Sequence, residues 1–453
     1  MAKQASDGGD LLVHDGRVVS PEGVHSGAVL VLGGRVAAVG ADVGAPGEVP
    51  RLDARGMLVF PGLIDPQVHF REPGLEHKED LASGSLAAIA GGVTSFMEMP
   101  NTRPATTTPE RLADKLARAA GRAHSDHAFF LGATAENAEH LGEWERLAGC
   151  AGVKVFMGSS TGDLLVRDDA TLERVLRCGE RRVAVHSEDE YRLQERYAAL
   201  EPGANVVRHP QVRDVETALR STRRLFDLVE RTRRKVHLLH VSTAEEIALL
   251  RERDLGELVT CEVTPNHLIL AAPECYERFG AWAQMNPPVR DVRHRDALRE
   301  ALADGAIDCI GSDHAPHTLA EKSEPYPRSP SGIPGVQTIL PLLLTAVRDG
   351  WLALEDVARI CCSAPARVYG IAGKGALAPG MDGDLVLVDP DVREPLRLEW
   401  LHSRAGYSPY VGLQTAGWPV VTVLRGRIAY RDRTPARSPH GRPLDFATGP
   451  ART

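Results

Sequence analysis

Between residues 58 and 375 the chain alternates short apolar runs with longer segments in which apolar side chains recur at helical spacing. Amphipathic segments such as PERLADKLARAAGRA and VETALRSTRRLFDLVERTRR predict helices. The apolar runs between them predict eight strands: LVFPGLIDPQVHF, VTSFMEMPN, HAFFLGAT, GVKVFM, RVAVHSED, KVHLLHVS, LVTCEVTPNH and AIDCIGSDHAPH. Eight β-α units of this kind favour a (β/α)8 TIM barrel over an open sheet.

The two ends of the chain have another pattern, in which apolar runs alternate with glycine turns. Residues 1–57 contain LLVHDGRVV and GAVLVLGGRVAAVG, and residues 376–453 contain DGDLVLVDP and PVVTVLRGRIAYRD. Short strands joined by tight turns fit both segments. We therefore expect one small composite β-sandwich built from both termini beside a barrel of residues 58–375, although separate β modules would give a similar pattern.

A proline-rich stretch, TLAEKSEPYPRSPSGIPG, follows the eighth predicted strand. Its composition is typical of a loop rather than of a regular element. A loop at this place in a barrel could form a mobile flap over a site.

The composition of the chain argues against nucleic-acid and membrane partners. The net charge of -8 argues against binding nucleic acid as the main role, and no apolar run approaches the roughly 20 residues that cross a bilayer. The first residues, MAKQASDGGD, lack the apolar core of a secretory signal. The seven cysteines include no C-x-x-C pair, which favours reduced thiols. We expect a cytoplasmic protein that acts on a small molecule, with no nucleic-acid or membrane partner.

Polar side chains cluster where the apolar strands stop. In a barrel these ends converge on the face that carries active sites, so the clustering predicts a single site. The residues at or near the strand ends are His69, Asn101, Lys154, His186, His240, Asp313, His314 and His317.

Each histidine alone is weak evidence for a metal site, because a lone histidine at a strand end is more often structural than a ligand. His186 and His240 follow apolar strands, which weakens that alternative for both. The odd spacing of His237 from His240 predicts that His237 lies on the opposite strand face. His267 and His314 stay ambiguous.

Lys154 and Asp313 each have two interpretations. A lysine in GVKVFM is ordinarily a surface side chain, but a desolvated lysine has a depressed pKa and its neutral amine can capture carbon dioxide as a carbamate. Asp313 opens the segment DHAPH. It could cap the next segment, or it could contact a metal and move the proton of a metal-bound water during hydrolysis.

One position departs from a paired-histidine metal motif. The first predicted strand ends in Asp65-Pro66-Gln67-Val68-His69, where His-x-His would place two imidazoles on one face. A carboxamide oxygen is a weak, hard donor and a poor match for zinc beside imidazole. Gln67 is therefore a doubtful ligand, and whether metal chemistry tolerates it is the central question.

Taken together, these segments resemble the cyclic-amide branch of the amidohydrolase superfamily, and dihydroorotases most closely. The similarity covers nearly the full chain, in an ordered and specific set. The matching segments are PGLIDPQVHFREPG, AGGVTSFMEMPNT, GVKVFMGSSTG, VHSED, HLLHVST, NPPVR, GSDHAPH, SGIPG and, returning to the β-sandwich, GALAPGMDGDLVLVD.

The resemblance implies a site for one or two zinc ions, with Asp313 as the catalytic acid and base. The implied metal ligands are His69, Lys154 as a carbamate, His186, His240 and Asp313. The implied substrate contacts are Arg71, Asn101, Asn286 and His317. A guanidinium can grip a carboxylate through two hydrogen bonds, so Arg71 with Asn101 favours dihydroorotate over ring substrates that lack a carboxylate. Arg71 in a structural ion pair and Asn101 as a turn residue are the alternatives.

The resemblance implies a zinc-dependent enzyme that interconverts N-carbamoyl-L-aspartate and (S)-dihydroorotate in pyrimidine synthesis. A hydantoinase or allantoinase is the nearest alternative activity. A metal-free, non-catalytic homologue that serves as a structural partner of aspartate transcarbamoylase is the alternative of another class, favoured only by Gln67. Self-association into a homo-oligomer is also an open expectation.

Overall fold

The computed structural model describes residues 8–159 and 164–447. Residues 1–7 and 448–453, which belong to the predicted terminal domain, and residues 160–163, which include the end of GVKVFMGSSTG, lie outside this description. The strands are β1 Leu11–Ser20, β2 Gly23–Leu32, β3 Arg35–Gly40, β4 Arg51–Asp53, β5 Leu58–Pro61, β6 Leu63–Val68, β7 Val93–Glu98, β8 Asp126–Gly132, β9 Cys150–Phe156, β10 Val183–His186, β11 Val236–Leu238, β12 Val259–Val263, β13 Cys309–Ile310, β14 Leu385–Pro395, β15 Gln414–Leu424, β16 Arg427–Arg431 and β17 Thr434–Pro435.

Helices connect and cover the strands, and no helix of the described ranges is long and apolar enough to cross a membrane. The α-helices are α1 Leu81–Ala90, α2 Pro109–Ala119, α3 Leu141–Trp144, α4 Asp169–Arg177, α5 Glu190–Ala198, α6 His209–Val212, α7 Val215–Thr232, α8 Ala244–Arg253, α9 Pro265–Ile269, α10 Glu274–Phe279, α11 Val292–Ala303, α12 Leu319–Lys322, α13 Ile339–Arg348, α14 Leu354–Ala358 and α15 Ala364–Tyr369.

The barrel consists of β6 to β13, which lie side by side in chain order and pair in parallel. It is nearly closed, because Val68 at the end of β6 bridges to His314 beyond β13. The His69 N–H donates to the His314 carbonyl at 2.7 Å at the same seam. The predicted (β/α)8 barrel is therefore confirmed.

Beside the barrel lies a nine-stranded sheet. Strands from both ends of the chain form it, as the sequence predicted. Its strand order is β17-β16-β15-β14-β5-β1-β2-β3, with β4 beside β1. Most neighbours are antiparallel, but β4 and β5 run parallel to β1. Its apolar core includes Val13, Val29, Leu385 and Val423.

The predicted strand LVFPGLIDPQVHF is two strands in the structure. Leu58–Pro61 pairs with β14 and β1 of the terminal sheet, and the barrel begins only at Leu63. Gly62 joins the two, and a Cβ there would lie 2.2 Å from Thr94 Oγ1. Both strands are buried throughout, and residues 58–63 contain no polar side chain that could mark the change from one sheet to the other.

Alternation along β9 determines where its lysine points. Val153 and Val155 belong to the large core that includes residues of the barrel strands and the surrounding helices. Successive side chains of a strand face opposite sides, so Lys154 between them faces the barrel interior. The sequence thus places a lysine side chain inside the barrel.

A buried ion network joins the barrel to the terminal sheet. Lys374 Nζ lies 2.6 Å from carboxylate oxygens of Asp126 on β8 and Asp384, and 2.9 Å from one of Asp382. Arg425 also binds Asp126, at 2.5 Å. The carboxylates raise the pKa of Lys374 against the opposing effect of burial, so the ammonium stays charged.

We predict that Lys374→Met lowers the free energy of unfolding by about 3–5 kcal/mol, because buried carboxylates lose their central cation. Urea denaturation followed by circular dichroism measures the change. Arg251→Met is the control, because its ion pair with Asp304 is half-exposed and should contribute little. Equal midpoints for the two variants would contradict a stabilising role for the network.

Candidate active site

The metal ligands implied by the resemblance come together at one end of the barrel. All five are buried, none being more than 8% exposed, although they come from segments far apart in the chain. Short contacts link His69 with Asp313 and His186 with His240, and the charge of Asp313 acts on Lys154. The structure thus brings together His69, Lys154, His186, His240 and Asp313.

His69 faces Asp313 through a defined ring nitrogen. Its Nδ1–H donates to Asn101 Oδ1 at 2.8 Å, and burial lowers its pKa, so the ring is neutral. In that tautomer Nε2 carries a lone pair, and it lies 3.2 Å from Asp313 Oδ1. Two lone pairs this close repel each other unless a cation or a hydrogen-bond donor lies near them.

His186 and His240 form the second pair of facing ligands. His186 Nδ1 lies 3.0 Å from His240 Nε2, and burial lowers the pKa of both imidazoles. His186 Nε2–H donates to Glu188 Oε2 at 3.0 Å, which leaves Nδ1 with its lone pair. Glu188 is held in turn by Arg213 at 2.5 Å. In metal sites a ligating histidine commonly donates its other N–H to a carboxylate, which fixes the tautomer and orientation of the ring. Glu188 is placed to do this for His186.

Lys154 supplies the third group of this cluster. Its Nζ makes no hydrogen bond to a described residue and lies 4.3 Å from the ring centre of Phe156. Burial lowers its pKa to about 7, although the charges of Asp313 and Glu262 oppose the shift. A substantial fraction of neutral amine therefore exists near pH 7, as carbamate formation requires.

Gln67 also reaches this cluster. Its Nε2 donates to Asp313 Oδ1 at 3.1 Å, and its Oε1 is buried without a hydrogen bond to any described residue. The Gln67 N–H donates to Asp65 Oδ1, which also accepts from the Ser312 N–H. The amide therefore lies beside Asp313 because its backbone is fixed to the segment before Asp313.

Backbone conformation turns three side chains toward the site. Arg71, His240 and Asp313 have φ values of 68°, 39° and 47°, which non-glycine residues rarely adopt. Such conformations cluster at functional sites, where surrounding structure maintains them.

The left-handed backbone of His240 explains an error in the sequence analysis. His237 pairs in register with Ala184, which pairs with Lys154, so His237 faces the barrel interior, and His240 also reaches the site, where it contacts His186. Strict alternation fails because β11 ends at Leu238 and the backbone of His240 turns the chain. His237 is structural: its ring nitrogens contact Thr260 Oγ1 and Glu262 Oε2 at 2.8 and 3.2 Å.

Arg71 and His317 form a basic group beside the metal-ligand cluster. Arg71 is 1% exposed, donates to the Pro316 carbonyl at 3.1 Å and lies 3.2 Å from His317 Nε2. Lys78 Nζ donates to His317 Nδ1 at 3.1 Å and pairs with Glu321 at 2.9 Å. No carboxylate of a described residue lies within 4 Å of the Arg71 guanidinium, so its charge has no ion-pair partner in the part of the chain that the structure describes.

Asn286 and the loop after the eighth strand are held by specific contacts. His209 Nε2 lies 2.9 Å from the Met285 carbonyl and 3.1 Å from Asn286 Oδ1, and its N–H is shared between them. Lys322, at the end of α12, donates to the carbonyls of Pro330 and Gly332 at 2.9 and 3.0 Å. The predicted flap is thus tied together by a buried lysine.

The ambiguous histidines have structural partners. His267 lies 2.9 Å from Thr264 Oγ1 and 3.1 Å from the Pro287 carbonyl. His314 Nδ1 accepts from the N–H groups of Gly335 and Val336 at 3.1 and 3.3 Å. Both fix loops around the site.

Four contributing residues were missed by the sequence analysis: Glu188, Arg213, Lys78 and His209. Glu188 had a recognisable signal, since an acidic residue follows a candidate ligand by two positions in VHSED. Nothing local in the sequence marks the other three. Their roles depend on contacts across 25 to 239 positions of the chain.

The donor set fits a zinc ion. Buried imidazoles whose ring nitrogens face the cluster, a buried lysine amine with no hydrogen bond to a described residue and a carboxylate are suitable zinc ligands once the lysine is carboxylated. Tighter groups of ligand-type side chains also occur in the described ranges, at His237/Glu262/Cys309, at His14/Asp15/Asp53 and at Asp126/Asp382/Asp384. The first of these is internally hydrogen-bonded and the third is neutralised by Lys374, and none contains a predicted ligand.

Comparison with known proteins agrees with this geometry. The model of the amidohydrolase family matches residues 58–429. A dihydroorotase of Methanosarcina acetivorans is 35% identical, with 93% of this chain and 92% of that protein aligned. An allantoinase of Rubrobacter xylanophilus is 37% identical, over 96% and 97% of the two chains. The solved L-hydantoinase of Arthrobacter aurescens has a TM-score of 0.91 at 29% identity, over 96% and 99%.

These matches extend over nearly the whole chain and include both the barrel and the terminal sheet. They confirm the resemblance at the level of the family. The chain belongs to the amidohydrolase family.

Proposed function

We propose that this protein is a zinc-dependent dihydroorotase, which interconverts N-carbamoyl-L-aspartate and (S)-dihydroorotate in cytoplasmic pyrimidine synthesis. One observation carries the proposal: a cluster of candidate metal ligands with an acidic residue lies beside a buried arginine that has no carboxylate partner among the described residues. The cluster suits hydrolysis of a cyclic amide, and the arginine suits a substrate that carries a carboxylate. Relatives named dihydroorotase support the same substrate.

The residues would divide into two groups around zinc. His186, His240 and a carboxylated Lys154 would hold an ion, with His69 and Asp313 on the other side of the cluster. Bound zinc supplies an activated water and polarises the carbonyl of the scissile amide. Carboxylation of Lys154 converts a buried amine into an anion, which balances the charge of the ion it would hold.

Asp313 would move the proton. Gln67 and His69 both contact its Oδ1, so Oδ2 is the oxygen available to the attacking water. In the hydrolytic direction Oδ2 takes the proton of that water and gives it to the departing ring nitrogen. Ring closure uses the same atoms in reverse order.

Arg71 would bind the substrate carboxylate, with Asn101, Asn286 and His317 around it. Gly74 of the REPG segment has φ 87°, and a Cβ there would lie 1.9 Å from the Arg103 carbonyl oxygen. The loop of Arg71 therefore packs directly against the segment that follows Asn101. Neutral cyclic amides offer this basic group no counter-charge, which disfavours the hydantoinase and allantoinase alternatives.

A non-catalytic homologue is less consistent with the site. A protein that had lost metal would have no reason to retain facing buried imidazoles, a buried lysine amine and the Glu188–Arg213 support together. Self-association and association with aspartate transcarbamoylase stay predictions, and neither excludes catalysis.

We predict that the purified protein takes up zinc and both opens dihydroorotate and closes N-carbamoyl-L-aspartate. Ultraviolet absorbance follows the ring, and metal analysis of the same preparation gives the zinc content. Hydantoin and allantoin at equal concentration are the comparison substrates. Zinc-loaded protein that turns over neither carboxylate substrate would refute the proposal, and a preference for allantoin or hydantoin would replace it.

We predict that Asp313→Asn reduces kcat by at least about 10²-fold, because general acid and base catalysis contributes on that scale. Zinc content should remain largely unchanged, since the histidines and Lys154 are intact. Asp304→Asn, at the half-exposed end of α11, is the control and should leave kcat unchanged. An Asp313→Asn enzyme that keeps its activity would remove Asp313 from the proton transfer.

We predict that Arg71→Met reduces kcat/KM for dihydroorotate by about 10- to 100-fold, as expected for one lost hydrogen bond between charged groups. The effect should appear mainly in KM, with zinc content unchanged. Arg111→Met on the exposed face of α2 is the control. An unchanged KM in the Arg71 variant would assign the guanidinium a structural role.

A further inference from the structure

Gln67 stands at the position where the resemblance would place a first histidine ligand, and its amide makes a hydrogen bond to Asp313. The Gln67 side chain is 1% exposed and lies at the end of β6, one residue before the seam that closes the barrel. Its Nε2 donates to Asp313 Oδ1 at 3.1 Å. The amide therefore acts on the residue to which the proton transfer is assigned.

Chemistry fixes the orientation of this amide. A carboxylate oxygen only accepts hydrogen bonds, so the amide nitrogen and not the amide oxygen must face Asp313. Oε1 then points elsewhere, and it is buried without a donor among the described residues. A buried acceptor of this kind is costly unless something in the working site donates to it.

The two halves of the site offer a cation different ligands. His186 and His240 face each other at 3.0 Å, and the Glu188–Arg213 pair orients the first of them. The other half offers one imidazole, His69, and an Asp313 oxygen that already has a second close neighbour in Gln67. An ion there would have to displace the Gln67 amide and would gain at best a neutral oxygen that suits zinc poorly.

We propose that this protein works with a single zinc ion, held by His186, His240 and Lys154, and that the Gln67 amide takes the place of a second ion. The Nε2–H group of Gln67 holds Asp313 Oδ1, as a cation between His69 and Asp313 would. The free Oε1 accepts a hydrogen bond from the attacking water. The inference rests on the proposed function, because it assigns Gln67 a part in that reaction.

The hydrolytic step can account for every bond and proton without a second metal ion. The water oxygen forms a bond to the ring carbonyl carbon while its proton passes to Asp313 Oδ2. The bond between that carbon and the ring nitrogen then breaks, and the nitrogen takes the proton from Asp313. Gln67 orients the water and the carboxylate throughout and exchanges no proton itself.

The test compares the wild type with Gln67→His and Gln67→Leu. Each protein is loaded with excess zinc in bicarbonate buffer, freed of unbound metal and measured by mass spectrometry of zinc and by anomalous diffraction. We expect one ion in the wild type, two in Gln67→His and one in Gln67→Leu. We also expect Gln67→Leu to lose about 10²-fold in kcat with little change in KM, as when one preorganised polar group is removed.

Gln414→His is the matched control, because it adds an imidazole at an exposed position on β15 of the terminal sheet and should still bind one ion. Two tightly bound ions in an active wild type would overturn this inference and leave the proposed function intact. A single ion in Gln67→His would also overturn it, as would loss of the ion from Gln67→Leu, which would make Gln67 a ligand. A wild type that binds no zinc would overturn the proposed function as well.

Discussion

The site depends on the burial of a lysine inside the barrel. Alternation along β9 sends Lys154 inward, where its Nζ finds no hydrogen-bond partner among the described residues and burial lowers its pKa to about 7. An isolated buried charge is expensive, so such a group persists only where neighbours or chemistry compensate for it. The nearby charges of Asp313 and Glu262 compensate in part. Conversion of the amine to a carbamate that binds a cation would compensate more fully.

Closure of the barrel brings the remaining groups to that lysine. The bridge between Val68 and His314, with the His69 N–H bound to the His314 carbonyl, joins the first strand to the segment after the eighth. Gln67 and His69 on one side of this seam then meet Asp313 on the other at 3.1 and 3.2 Å. A small change of register at the seam would separate the residue assigned to proton transfer from its partners. The geometry of the site is therefore a consequence of strand pairing as much as of the side chains themselves.

Much of this arrangement could be predicted from the sequence, because periodicity and strand ends are local signals. The eight β-α units and the strand-like termini gave the fold class, and polar residues at strand ends gave His186, His240 and Asp313. Boundaries inside continuous apolar runs could not be predicted, since Leu58–Pro61 and Leu63–Val68 are equally buried in different sheets. The prediction that His237 and His240 face opposite sides was wrong, because the left-handed backbone conformation of His240 after β11 interrupts the alternation. Supporting residues such as Arg213 and His209 act through contacts distant in sequence, which no local pattern records.

Under the proposed function, Gln67 is a change in the ligands of a metal site whose frame stays constant. Gln67 occupies a place where an imidazole would bind a cation, and its backbone is fixed by Asp65, which also accepts from the Ser312 N–H. The frame therefore holds whatever side chain stands at that position against Asp313. An imidazole there would attract an ion, which would bind Asp313, whereas the amide binds Asp313 directly. Both solutions restrain the same carboxylate oxygen, so loss of a histidine need not mean loss of catalysis.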